Sequence, residues 1–268
     1  MNENFSKYFL ISRLGYVNSF SRLVNKLTKK INCLNFLWKF GFWVREQTVA
    51  AYELAYRKGY RTMLCDVIPT KDDVFVCSHE DDISHISKRK TFITKSTAAE
   101  LLQNLVSNNL RRGGIMFLHD FLSFCKTKNS MVEIEIKTCL TEEQTKLLAD
   151  LVKKYGFENK CIVHRNTGEK KFFGLISQLL PKAFLSRTAN NTSALEEMIS
   201  LDVPNPKLVT VTNYKGRYPV TLQEDCLKRA KDFDIGVIFS EVKNRRDFQL
   251  MLQIRPYLTF CASRLLIT

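Results

Sequence analysis

Glycine, proline and histidine are scarce in this chain: its 268 residues hold ten Gly, six Pro and four His. With so few of them there is no Pro/Gly-rich linker, no low-complexity stretch and no internal repeat, which argues against a multidomain array. No glycine-rich turn follows the first apolar run, so the usual phosphate-binding turn of a doubly wound dinucleotide fold is missing. The eight cysteines include no C-x-x-C pair. No apolar stretch approaches the ~20 residues of a membrane-spanning helix. The apolar residues 8–11 near the N-terminus are too few for a signal-peptide core.

What is present is an ordinary globular composition with an unusual charge. Hydrophobic residues make up 45% and charged residues 25%, which suits one domain over 1–268 with a well-buried core. Lys and Arg total 41 against 27 Asp and Glu, a formal charge of +14 that attracts phosphorylated molecules or anionic lipid surfaces. Most cysteines lie in apolar runs, such as Cys65 after Met63-Leu64 and Cys77 after Phe75-Val76. There a thiol behaves as a small hydrophobe, and the pattern predicts reduced, buried thiols. The expected location is cytoplasmic, with contact to the inner face of a membrane as an extension of that reading.

Short apolar or β-branched runs alternate with longer segments at helical spacing. The runs are 8–13, 62–68, 132–137, 161–165, 183–187, 208–212, 235–240 and 257–262. Each has the length of a strand buried on both faces. Helical spacing is found over 48–57, 142–155, 169–180, 222–233 and 247–254. In the first, Val49, Tyr52, Leu54 and Ala55 are expected on one side; in the second, Leu147, Leu148, Leu151 and Val152. Eight strands alternating with helices over some 250 residues predict an α/β fold, a (β/α)8 TIM-type barrel. A doubly wound open sheet is the alternative.

Two segments break the rhythm, and both follow strands, where such a barrel keeps its active-site mouth. Residues 16–43 form a long insertion after the first strand. Leu23, Val24, Leu27, Ile31, Leu34 and Leu37 recur at helical spacing there, with Lys26, Lys29, Lys30 and Lys39 mostly elsewhere and Phe36, Trp38, Phe40, Phe42 and Trp43 at its end. This basic amphipathic segment suits a lid, a packing element or contact with an anionic membrane. The second break, 70–83, predicts a turn at Lys71-Asp72-Asp73 leading into a short strand over 74–78.

The stretch 46–83, EQTVAAYELAYRKGYRTMLCDVIPTKDDVFVCSHEDDI, resembles the signature block of the glycerophosphodiester phosphodiesterase family. That block reads P-E-N-T, then E-x-D-V, T-K-D and V-x-x-H-D. Ile134-Glu135-Ile136-Lys137 is similar to the family's E-x-K strand, and residues 238–244 (IFSEVKN) to its late V-W-T-V-N strand, with Phe239 for the tryptophan. The resemblance implies the barrel fold, a divalent cation (Ca²⁺ or Mg²⁺) held by carboxylates at strand ends, and two histidines acting as acid and base. Residue by residue it implies Asp66 and Glu135 as metal ligands, Lys137 and Arg13 as phosphate-binding groups, His79 as a catalytic histidine and Glu46 as a supporting carboxylate. Thr48 matches the threonine of the block, with Gln47 for its asparagine and Arg45 for its proline, and Glu80 stands for the aspartate after His79. Two positions depart from the pattern. Leu64 stands for the glutamate of E-x-D, and Ser12 for the histidine of H-R-G at the first strand. A leucine cannot ligate a metal, and loss of a general acid or base costs ~10²–10⁴ in rate.

Other residues read from their own surroundings. His85, in SHISKRK, is expected in solvent, and His119 on the surface or cap of a helix. His164-Arg165-Asn166 is similar to the missing H-R-G in composition but follows the wrong strand; it can still point into the mouth. Glu133, Glu135 and Lys137 share one strand face by their two-residue spacing, so Glu133 is expected deeper or in an ion pair. The basic groups Lys88-Arg89-Lys90, Arg111-Arg112 and Arg245-Arg246 are not interleaved with aromatics, which argues against nucleic acid. Two readings of function stand. One is metal-assisted hydrolysis of a phosphodiester carrying glycerol, as a small molecule or a glycerol-phosphate polymer, with the ion weakly held. The other is a pseudoenzyme, a phosphate- or lipid-binding barrel without turnover.

Overall fold

A computed structural model describes residues 10–12, 46–57, 59–105, 114–166, 170–189, 191–212, 224–242 and 261–265. The insertion 16–43, Arg13 and the helix expected over 247–254 lie outside the described residues. Eight strands run parallel: β1 (Leu10–Ser12), β2 (Thr62–Pro69), β5 (Met131–Ile136), β6 (Cys161–Arg165), β7 (Phe184–Thr188), β8 (Lys207–Thr212), β9 (Gly236–Val242) and β10 (Cys261–Leu265). They are hydrogen-bonded in the order β1-β10-β9-β8-β7-β6-β5-β2, and pairing of β1 with β2 closes the ring. Helices α1 (Val49–Arg57), α4 (Glu142–Tyr155), α5 (Lys170–Leu179), α6 (Thr192–Ile199) and α7 (Glu224–Asp232) alternate with these strands, as the barrel expected from sequence requires.

Two further strands, β3 (Phe75–Cys77) and β4 (Met116–Phe117), are antiparallel additions to the far end of β2. Between them runs α2 (Ala98–Asn104), and α3 (Leu118–Thr127) follows β4. This excursion has its own apolar cluster, built on Ile68, Val76, Ile83, Ile86, Ile93, Leu101, Leu105 and Phe117. Because it grows from the C-terminal end of β2, it stands beside the barrel mouth.

Every residue of β2 is buried, since a parallel barrel strand is covered on both faces. Cys65, Val67, Val132, Ile134, Val163, Leu185, Val209 and Val237 belong to the main core, which they share with helix residues such as Tyr52, Leu148 and Ile176. The cysteines agree in part with the expected pattern. Cys65, Cys77, Cys125 and Cys161 are free and buried, whereas Cys139, in the loop after β5, is free and exposed. Burial pushes the Cys65, Cys125 and Cys161 thiols upward, so they stay protonated and inert.

Several boundaries and faces differ from the sequence expectation. The last strand extends to Leu265, beyond the expected end at 262, and its Cys261 pairs with Val237 on β9; residues 257–260 lie outside the described residues. In α4 the buried face is Thr145, Leu148, Ala149 and Val152, and Leu147 is exposed. At 100° per residue Leu147 turns away from that stripe. Val49 likewise faces solvent, while Ala51, Tyr52 and Ala55 are buried.

Helix α4 carries its own start and stop signals. Thr141 and Gln144 form a capping box, Glu142 and Glu143 occupy the first turn, and Lys153 and Lys154 the last. Gly156 ends it with φ +78°, and a Cβ there would meet nothing within 4 Å, so the glycine is required by backbone conformation alone. Thr141→Ala should cost about 1 kcal/mol through the lost cap, and Gly156→Ala ~1–2 kcal/mol through left-handed backbone. The sites lie at opposite ends of the helix, so urea melts of the double variant should show additive losses.

Candidate active site at the barrel mouth

Inward-facing side chains follow the two-residue period of the strands. The deeper layer is apolar: Leu64, Ile162, Leu208 and Ile238, with Phe184 packed against them. Two residues further along, roughly 6–7 Å nearer the mouth, the layer turns polar with Asp66, Glu135, His164, Ser186 and Thr210. Glu133, in register with Leu64, is the deepest carboxylate.

Asp66 and Glu135 are direct register partners on β2 and β5, and both are buried, at 0% and 1% exposure. Two carboxylates on adjacent strands repel unless a cation lies between them. Lys137 supplies it: its Nζ lies 3.1 Å from Glu135 Oε1 and 3.6 Å from Asp66 Oδ1. On the other side Gln47 Nε2 donates to Asp66 Oδ2 at 2.8 Å. Gln47 is itself fixed by the Tyr52 hydroxyl, 2.7 Å from Gln47 Oε1 and 2.9 Å from the Leu64 carbonyl, its one proton shared between two acceptors. Burial, first of all, holds that phenol well above its usual range, so it remains a donor. Gln47 has φ 56°, a left-handed conformation that an asparagine adopts more readily.

A second chain of hydrogen bonds reaches Glu135 from β6 and β7. Asn166 Nδ2 donates to Glu135 Oε1 at 3.2 Å, which turns its Oδ1 toward Thr188 and His164. Thr188 Oγ1 donates to that oxygen at 2.6 Å and so must accept from His164 Nε2, 3.2 Å away. Nε2 therefore carries a proton. Nδ1 faces inward, 3.0 Å from Ser186 Oγ and 3.8 Å from Glu133 Oε1. Of the two places expected for Glu133, deeper or in an ion pair, its register with Leu64 gives the deeper one. His164 thus points into the barrel and supports Asn166, whereas Arg165 points outward, with its guanidinium over the Phe172 ring and bonded to Cys139 Sγ.

The residues expected from sequence are brought together unequally. Asp66, Glu135 and Lys137 meet directly. Glu46 is half-buried in the turn that enters α1, one residue before Gln47. His79 is exposed on the turn after β3, next to Ser78, whose amide donates to the Asp66 carbonyl at 2.9 Å. Arg13 lies outside the described residues. Ser12 is in register with Met63, and Leu64 packs into the apolar floor. His119 sits on the exposed face of α3, as expected, stacked on Phe117. Sequence reasoning did not single out Gln47, Asn166 or Thr188 as site residues. The signal for Gln47 was its match to the asparagine of the family block, and for Asn166 its place in the triplet His164-Arg165-Asn166.

Lys137→Met removes the cation shared by two buried carboxylates and should lower stability by roughly 3–5 kcal/mol. Adding Asp66→Asn should restore a large part of that loss. Chemical denaturation of both variants checks this, and equal losses in the two would show that the ammonium is not shared.

The comparisons with known proteins bear on this geometry. The model of the glycerophosphoryl diester phosphodiesterase family matches residues 35–254. A comparison with curated proteins gives no significant match. Among solved structures, a glycerophosphodiester phosphodiesterase from Agrobacterium tumefaciens is 14% identical, with 96% of each chain covered and a TM-score of 0.63. One from Parabacteroides distasonis is 18% identical over 96% of this chain and 92% of its own, with a TM-score of 0.64. A phosphodiesterase from Oleispira antarctica, in complex with the product sn-glycerol-3-phosphate, is 17% identical over 82% and 88%, with a TM-score of 0.61. These likenesses confirm the barrel, and the family match, spanning most of the chain and the whole Asp66–Glu135–Lys137 constellation, makes this protein a member of the glycerophosphoryl diester phosphodiesterase family.

Proposed function

We propose that the mouth of this barrel hydrolyses a phosphodiester carrying glycerol or a related alcohol, with a divalent cation, Ca²⁺ or Mg²⁺, as a weakly held partner. The observation that carries this reading is the partly buried ammonium of Lys137 set against two buried carboxylates at the C-terminal mouth. Such an arrangement offers positive charge to phosphate oxygens and hard oxygen ligands to a cation. The product named with the Oleispira antarctica relative, sn-glycerol-3-phosphate, supports the same chemical class of ligand. A glycerol-phosphate polymer presents the same bond.

The donor set fits a loosely bound ion. Among the described residues no group of three His, Cys, Asp or Glu side chains is placed to enclose a metal. Two carboxylates are nevertheless enough for an ion of the Mg²⁺ type, which keeps several waters and takes further oxygens from substrate phosphate. Asp66 and Glu135 would hold it, and when bound it would neutralise phosphoryl charge. Gln47 and Asn166 orient the two carboxylates. Lys137 and Arg13, the residue after Ser12 in sequence, bind phosphate oxygens. His79 on the rim protonates the leaving alkoxide or takes a proton from water, and Glu46 supports the mouth from the turn before α1.

A second reading, a phosphate- or lipid-binding barrel without turnover, is favoured by one specific observation. Leu64 fills the apolar floor where the family has a ligand carboxylate. No helix among the described residues is long and apolar enough to cross a membrane.

Thermal melts with millimolar Ca²⁺, Mg²⁺ or Mn²⁺ test the metal directly, because an ion at 100 times its Kd stabilises by about 2.7 kcal/mol. Wild type should shift upward and Glu135→Ala should not. No shift with any ion would end the metal-assisted mechanism. Hydrolysis of small glycerophosphodiesters decides between the two readings. Turnover in wild type, lost in His79→Ala, supports the enzyme. Turnover that appears only in Leu64→Glu/Ser12→His supports the binding barrel.

A further inference from the structure

Away from the carboxylate pair, the β2–β4 excursion holds a surface pocket of about 280 Å³ whose lining includes Arg89, Lys90, Phe92, Lys95 and Glu100. Two of its ammonium groups converge on one ring: Lys90 Nζ lies 5.3 Å and Lys95 Nζ 5.0 Å from the Phe92 centroid. The ring quadrupole attracts both ammonium groups and so offsets part of their mutual repulsion beside this pocket. The backbone beneath them is fixed on both sides. Phe92 is bridged to Asp82, Thr94 is held through both N–H and hydroxyl by the Asp81 carboxylate, and the Lys88 amide bonds to the Asn104 carbonyl. Ile93, at the centre of this segment, is wholly buried in the excursion's own core.

Three cations against one carboxylate give the lining a local excess of positive charge. Glu100, held by the Thr97 amide at 2.8 Å, offsets one of the three positive charges and leaves the other two in excess. A guanidinium fork beside two ammonium groups matches the geometry and charge of a tetrahedral dianion better than that of a single carboxylate. Nucleic acid fits poorly: Phe92 is the one aromatic of this lining and already engages two lysines, so no platform of successive aromatics is present there.

We propose that this pocket is a second phosphate site, separate from the Asp66–Glu135–Lys137 centre and set on the same excursion that carries His79. It takes a phosphate group, either free in solution or displayed as the headgroup of an anionic lipid, and holds it beside the mouth. The site acts by binding alone and does not depend on turnover at the mouth.

A backbone-amide NMR titration with inorganic phosphate, at constant ionic strength against chloride, reads the pocket locally. The amides of residues 89–96 should shift saturably. Arg89→Ala/Lys95→Ala, two exposed substitutions that leave the excursion core intact, should weaken that binding at least tenfold while thermal stability stays unchanged. In parallel, cosedimentation with vesicles containing phosphatidylglycerol identifies the source of the phosphate. Vesicle binding lost in the double variant, without a response to free phosphate, assigns the site to headgroups; a response to free phosphate assigns it to soluble ligands. Silent amides together with equal vesicle binding by both proteins would overturn the proposal, as would a double variant that binds phosphate like wild type.

Discussion

Closure of eight parallel strands creates an interior that only side chains can fill, and their two-residue period divides it into layers. This chain fills the deep layer with hydrocarbon from Leu64, Ile162, Leu208 and Ile238, and the layer above with ionisable and hydroxyl groups. The apolar floor keeps water away from below, which strengthens every electrostatic contact above it. The cost is that Asp66 and Glu135 are buried side by side. Lys137, Gln47 and Asn166 meet that cost, and the positions of α1, β6 and β7 are tied to it.

The floor and the site are also in competition. In the family pattern the position of Leu64 is a carboxylate; here it contributes packing. The carboxylate at that depth is Glu133, its register partner on β5, which faces His164. Charge thus persists at this level of the barrel but on the neighbouring strand and toward a different partner. The polar layer of this protein draws on β2, β5, β6, β7 and β8, through Asp66, Glu135, His164, Ser186 and Thr210.

The excursion after β2 has a separate physical basis. It folds around its own apolar cluster, so its outer surface is free to carry charge without disturbing the barrel. His79 at its start and the Arg89–Lys95 pocket further along are thereby held on a rigid platform rather than on a loose loop.

The sequence by itself determined a great deal. Period-2 and period-3.6 patterning, both local properties, placed seven of the barrel strands closely and found α4 at its true ends, since caps at Thr141 and Gly156 are written in neighbouring residues. Spacing on one strand also put Glu133, Glu135 and Lys137 on one face. Only the tertiary structure decided which residues meet across strands, because register depends on backbone pairing between segments far apart in the chain. It carried the last strand to Leu265, and it brought Gln47 to Asp66 and Asn166 to Glu135. Amides and hydroxyls such as these carry no periodic signal, and their roles exist only where ring closure makes distant strands neighbours.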